Sequence, residues 1–195
     1  MDKEENIDVI IKHVLDGDTD AFELIVKRYE KKVYNLALRY LKNPDDALDV
    51  SQDVFIQVYQ NLSGFRGDAQ FSTWIYRVTY NKCVDMLRKT QKIRRNVVMS
   101  TDDENFFETR DGSASIEESY EGRETLLAVM KIIDALPDEQ RDVVMLRYIK
   151  DLSYAQIAEV MDIAEGTVKS RLNRARIKIK EQMKDSGTKA AARPS

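Results

Sequence analysis

The sequence predicts an all-α protein: two small helical domains joined by a flexible acidic linker, the C-terminal one a helix-turn-helix. Three observations carry this expectation. Breakers are scarce, since 195 residues contain only 7 Gly and 3 Pro, so turns are few and helices long. Apolar residues recur at spacings of three and four through most of the chain, the period of an amphipathic helix. Charge is segregated, because a formal net charge of −3 conceals two basic stretches flanking an acidic one. With 43% hydrophobic and 33% charged residues, collagen-like, disordered and disulfide-scaffold chains are excluded.

The elements follow in order. Ala21 to Leu41 carries Phe22, Ile25, Val26, Tyr29, Val33, Leu36, Ala37 and Tyr40 at helical spacing. Asn43-Pro44 then supplies an N-cap and a first-turn proline for a second helix to about Leu62, which Ser63-Gly64 ends. Phe65 to Gln70 reads as a short loop, and Phe71 to about Lys92 as a helix whose later half is basic. A helical domain at 1–95 is therefore expected, then a linker at 96–122, a second helical domain at 123–184 and a polar tail at 185–195. In the second domain Thr125 to Ala135 starts a helix, and Pro137 opens another with Val143, Val144, Leu146 and Tyr148 on its apolar side. Asp151-Leu152-Ser153 breaks it, Ser153 caps a short helix to about Met161, and a long helix runs from about Ala164 to Lys184.

Several chemistries are excluded or disfavoured. The single Cys83 permits no internal disulfide, and with the single His13 it cannot supply the four N or S ligands of a structural zinc site. No metal or other cofactor, no catalytic residue and no small-molecule substrate are expected. The acidic N-terminus has no apolar run fit for a signal peptide, and the longest run elsewhere, Leu126 to Met130, is far too short to span a bilayer. A soluble cytoplasmic protein without membrane insertion is the expectation.

Charge locates the function. Tyr76 to Arg95 holds seven basic residues against Asp85, a local +6, and Glu165 to Lys184 holds seven against Glu165 and Glu181, a local +5. Between them Thr101 to Gly122 has a local charge of −7. Basic stretches of this kind are the footprint of phosphate binding, while the Ser- and acid-rich strip without apolar period suits a linker. On the last helix Val168, Leu172, Ala175 and Ile179 form one buried stripe. Thr167, Ser170, Arg171, Arg174 and Lys178 cluster on another face, suited to base edges in a major groove, with Lys169 and Arg176 flanking toward phosphates.

In the first domain Asp46, Asp49, Gln52 and Asp53 make a stripe opposite Ala47, Val54, Val58 and Leu62. With no His or Cys near, that stripe suits docking on a basic partner protein better than metal or acid-base chemistry. The run FRGDAQFSTWIYRVTYN, Phe65 to Asn81, sets aromatic rings beside a Gly-containing loop and a basic helix. Most of those rings, Trp74 especially, read as core, yet aromatic surface next to cations is also what single-stranded DNA requires. Arg77, Asn81, Arg88, Lys92 and Arg95 share one helix face along which a strand can track.

These stretches, with DALDVSQDVF, LPDEQRDVVMLRY and GTVKSRLNRARIKI in this order, resemble the extracytoplasmic-function (group 4) sigma factors of bacterial RNA polymerase, particularly sigma-E and sigma-W-like members, from about Asp18 to Lys184. The resemblance implies that Asp46, Asp49, Gln52 and Asp53 dock on the β′ clamp helices of core RNA polymerase. It further implies that Phe65, Arg66, Gly67, Asp68, Phe71, Arg77, Asn81 and Arg88 melt the −10 promoter element and capture a flipped base. Thr167, Lys169, Ser170, Arg171 and Arg174 would read the −35 element. Expected partners are core polymerase, including the β flap, promoter DNA and an anti-sigma factor. A self-sufficient helix-turn-helix regulator would explain the second half but leave the acidic stripe and the aromatic-basic loop idle. A nucleic-acid enzyme using the Asp stripe as a metal site is the other alternative.

Overall fold

The computed structural model describes residues 6–65, 67, 69–98 and 128–191, and the side chains of all but 92–98 and 185–191 among them. Among the described residues the chain is helical and contains no strand. Contacts divide it into two units, Met1–Arg110 and Asp111–Ser195. The expected linker lies outside the described residues from position 99 onward, as do Arg66, Asp68 and the start of the helix expected from Thr125.

Unit one opens with α1, Ile7–Leu15, which the sequence reading left unassigned. Its logic is nonetheless ordinary. Asn6 caps it by accepting from the Asp8 amide at 3.1 Å, and Ile10, Ile11 and Val14 are buried on one side. The long α2, Ala21–Leu41, packs on α1 and on both later helices of the unit. Asn43 starts α3, Pro44–Asn61, by accepting from the amides of Asp45 at 2.9 Å and Asp46 at 3.3 Å. A single 3-10 turn, Leu62–Gly64, ends it. Then α4 runs Phe71–Val98, beyond the Lys92 end expected from its apolar pattern. No Gly or Pro interrupts that segment, so the helix continues after its apolar stripe has stopped. Ile25, Leu36, Val54, Val58 and Ile75 are completely buried where these helices meet, each contributing about 1.5–3 kcal/mol of transfer free energy.

Unit two contains α5, described over 128–134, α6, Asp138–Tyr148, α7, Tyr154–Met161, and α8, Glu165–Ala191. Ser153 and Gln156 cap α7 reciprocally: the Ser153 Oγ accepts from the Gln156 amide at 3.2 Å and the Gln156 Oε1 from the Ser153 amide at 2.8 Å. Asp162, in the left-handed region at φ 54°, stops α7, and three residues later α8 begins. Both α6 and α7 pack against α8, burying Val168, Leu172 and Ala175. The backbone of α8 continues to Ala191, past the expected end at Lys184.

Candidate nucleic-acid and partner interfaces

The acidic stripe stands on α3. Asp49, Gln52 and Asp53 are exposed and Asp46 is half-buried, while Ala47, Val54 and Val58 of the same helix are sealed in the core. Asp53 is not isolated, since its Oδ2 accepts from the Lys82 ammonium of α4 at 3.4 Å. Beside the carboxylates the sequence reading missed an apolar strip: Leu48, Ile56 and Tyr59 are 51%, 55% and 45% exposed. They fall within one sector of the helical wheel together with Gln52. Exposed apolar side chains edged with acids make this a candidate protein-docking face. The signal was available, because α3 has apolar residues on two sides and the core needs only one. The carboxylates do not gather as an ion site: among the described residues no cluster of three or more His, Cys, Asp or Glu is placed to hold a metal.

At the start of α4 three rings meet. Phe65 lies 5.4 Å from Phe71 and 5.4 Å from Trp74, and Phe71 and Trp74 are 5.5 Å apart. Their burial reverses the expected roles. Phe71 is only 3% exposed and packs edge-on against Tyr29 at 5.4 Å, so it is a core residue that supports the loop and presents no surface to DNA. Trp74, read as core, is half-buried and shares a partly open aromatic surface with the half-buried Phe65. Gly67 nearby has φ +77° with open space around it, so its glycine is required by backbone conformation and not by crowding.

Along the same helix Arg77 is half-buried, Asn81 is exposed, and the exposed Arg88 sits 3.7 Å from Asp85. The side chains of Lys92 and Arg95 lie outside the described residues. Tyr76 is buried, and that burial, with a smaller contribution from Tyr29, pushes its hydroxyl above the usual tyrosine range.

On α8 the exposed face is centred on Ser170, Asn173 and Arg174, opposite the buried Val168, Leu172 and Ala175. Lys169 is exposed too, with its ammonium 2.9 Å from Glu165, whose hydrogen bond and charge hold the lysine proton more firmly than usual. Thr167 is half-buried at the rim. Arg171, expected to read a base, is instead 18% exposed and pinned at 2.8 Å to Glu139 of α6. It therefore fixes the seat of the helix, while Asn173, missed in the sequence, stands in the open beside Arg174. The helical wheel carries this signal, because Asn173 lies about 130° from the middle of the Val168, Leu172 and Ala175 stripe and so on the solvent side. Arg171→Ala is expected to lower the thermal midpoint of this unit by about 4–8 °C, the shift that about 1 kcal/mol makes in a domain of roughly 60–100 residues. Arg174→Ala should leave it unchanged, and calorimetry on the full chain distinguishes the two.

Arg176 is exposed but engaged across the surface, its Nε donating to the Tyr148 hydroxyl at 2.7 Å and its Nη2 to that of Tyr154 at 3.5 Å. Both hydrogen bonds raise its affinity for its proton. With Tyr148, Ile179, Met183, Lys180 and Lys184 it lines an open groove of about 520 Å³.

Comparison with known proteins identifies both halves of the chain. Residues 25–93 match sigma-70 region 2 and residues 126–179 match sigma-70 region 4. ECF RNA polymerase sigma factor SigW of Bacillus subtilis is 36% identical over 179 residues, covering 90% of this chain and 95% of that protein. The chain belongs to the ECF sigma factors. The ECF RNA polymerase sigma-E factor of Escherichia coli (strain K12) is 35% identical over 175 residues, covering 86% of this chain and 89% of that one. The function of this ECF sigma factor is promoter-directed transcription initiation with RNA polymerase. Two solved structures share the fold. CnrH in complex with the cytosolic domain of CnrY aligns with a TM-score of 0.64 at 22% identity, over 91% of this chain and 96% of that one. The sigma factor RpoE with the anti-sigma factor NepR from Bartonella quintana aligns with a TM-score of 0.65 at 20% identity, over 84% and 96%. Among the described residues no helix is long and apolar enough to cross a membrane.

Proposed function

We propose a residue-level division of this sigma factor's work. The α3 face, with Asp46, Asp49, Gln52 and Asp53 edged by Leu48, Ile56 and Tyr59, docks on the β′ clamp helices of core polymerase. The loop from Phe65 to Gln70, supported from beneath by Phe71, and the α4 face with Arg77, Asn81 and Arg88 open the −10 element and hold the exposed strand, the Phe65 and Trp74 rings offering stacking surface. Thr167, Lys169, Ser170 and Arg174 of α8, joined by Asn173, read the −35 duplex, with Arg171 holding the helix in place. The groove beside Tyr148, apolar within and cationic at its rim, receives the β flap. The protein works in the cytoplasm, performs no catalytic chemistry and is held in check by an anti-sigma factor; the complex of RpoE with the anti-sigma factor NepR, of the same fold, supports that last point.

The observation that supports this reading best is the pairing, in one unit, of an acidic-apolar docking face with an aromatic-basic loop and helix. A free-standing helix-turn-helix regulator has no use for either. The test is transcription in vitro with core polymerase on a promoter library, with mapping of transcript starts. Starts that depend on the factor and share two spaced elements are the expected result. Duplex binding by the free protein as tight and specific as that of the holoenzyme would favour the regulator instead.

A further inference from the structure

The ion pair between Asp53 and Lys82 joins two surfaces to which different partners have been assigned. Asp53 lies on the α3 docking face and Lys82 follows Asn81 on α4, about 100° around the helix from it, so the 3.4 Å contact ties the polymerase side of the unit to the flank of the strand side. Arg88, by contrast, pairs within its own helix with Asp85. The Asp53 side chain is 61% exposed and that of Lys82 33%, so a cation arriving from outside can reach the carboxylate without unfolding anything.

We propose that Lys82 is a phosphate ligand of the single-stranded promoter segment, held in reserve by Asp53 in the free protein and released when polymerase takes that carboxylate. The proposal rests on the reading of α3 as docking face and α4 as strand face. One carboxylate cannot serve two cations at full strength, so a polymerase cation that engages Asp53 weakens its hold on Lys82. An exposed ion pair is worth little, which makes the exchange easy rather than prohibitive. Once released, Lys82 adds one uncompensated positive charge on the flank of the Asn81 face, where its flexible four-carbon stem can swing toward the phosphates of a strand tracking along that face. The coupling is reciprocal: whatever docking adds to strand affinity, strand binding adds to docking.

The experiment measures binding of the free, full-length protein to a fluorescent single-stranded oligonucleotide from the −10 region of a promoter it transcribes. In parallel, affinity for core polymerase is measured for the same variants. Asp53→Asn is expected to tighten strand binding by about two- to fivefold at low salt, the range an exposed pair allows, with less gain at high salt. The same change weakens binding to core polymerase. Lys82→Gln should matter little in the free protein, where the lysine is already engaged, and more in the holoenzyme. The double variant should lose the gain of Asp53→Asn. A gain that persists in the double variant would reduce the effect to general loss of negative charge and overturn the proposal. Unchanged strand affinity in Asp53→Asn, with polymerase binding still weakened, would overturn the coupling but leave the docking face standing. If Asp53→Asn altered neither, the docking assignment would fall and the proposal with it.

Discussion

Replacing Asp49 and Asp53 together by Lys is expected to abolish binding to core polymerase while leaving the helical circular dichroism intact. Both side chains are exposed, on the side of α3 away from the buried Ala47, Val54 and Val58. The fold loses only the Lys82 contact, an exposed pair worth at most about 1 kcal/mol. The interface loses far more. Truncating one partner of a buried charge pair already costs about 2–5 kcal/mol, and reversal adds repulsion at two positions one helical turn apart. A loss of more than about a thousandfold in affinity follows from two such effects. Leu48, Ile56 and Tyr59 would still be in place, but an apolar strip cannot hold two like-charged surfaces together. Co-purification with core enzyme at wild-type affinity would refute the docking assignment.

The second large effect separates the two DNA contacts. Arg174, exposed on α8, should read a duplex, whereas the exposed Asn81 on α4 should act on a strand already opened. Arg174→Ala is expected to cost roughly 1–3 kcal/mol at its own base pair and to relax specificity there. Asn81→Ala should spare −35 binding and impair open-complex formation. A template pre-melted at −10 presents its strand without the opening step, so it should partly rescue transcription by the Asn81 variant and not by the Arg174 variant. Equal rescue of both, or of neither, would contradict the division of labour.

The contrast between those residues and Arg171 shows what a sequence can and cannot disclose. Caps were legible because they act over three or four positions: Asn43 with Pro44, and Ser153 with Gln156, occur where local chemistry demands them. The buried stripe of α8 was legible for the same reason, since Val168, Leu172 and Ala175 repeat with the helix. The orientation of Arg171 was not, because Glu139 is its partner and lies on another helix. Asp53 and Lys82, 29 positions apart, meet only through the packing of α3 on α4. Phe71 and Trp74 share a type and a neighbourhood, and which ring is sealed depends on Tyr29 arriving from α2. The extension of α4 to Val98 had no apolar period to announce it, only the absence of breakers.

That extension has a mechanical meaning. At 28 residues, α4 is about 42 Å long, and its two ends live differently. Phe71, Thr73, Ile75, Tyr76, Val78, Thr79 and Cys83 are clamped in the core, whereas residues 88–91 are all exposed. The helix is thus a beam gripped at its root, with an outer arm exposed at 88–91, beyond the grip. A load placed on the arm, such as the pull of a bound nucleic-acid strand, acts with leverage on the root, where the Phe65, Phe71 and Trp74 rings brace the loop. Stiffness along α4 therefore lets a force felt far out on the helix be delivered to the place where a base would be held.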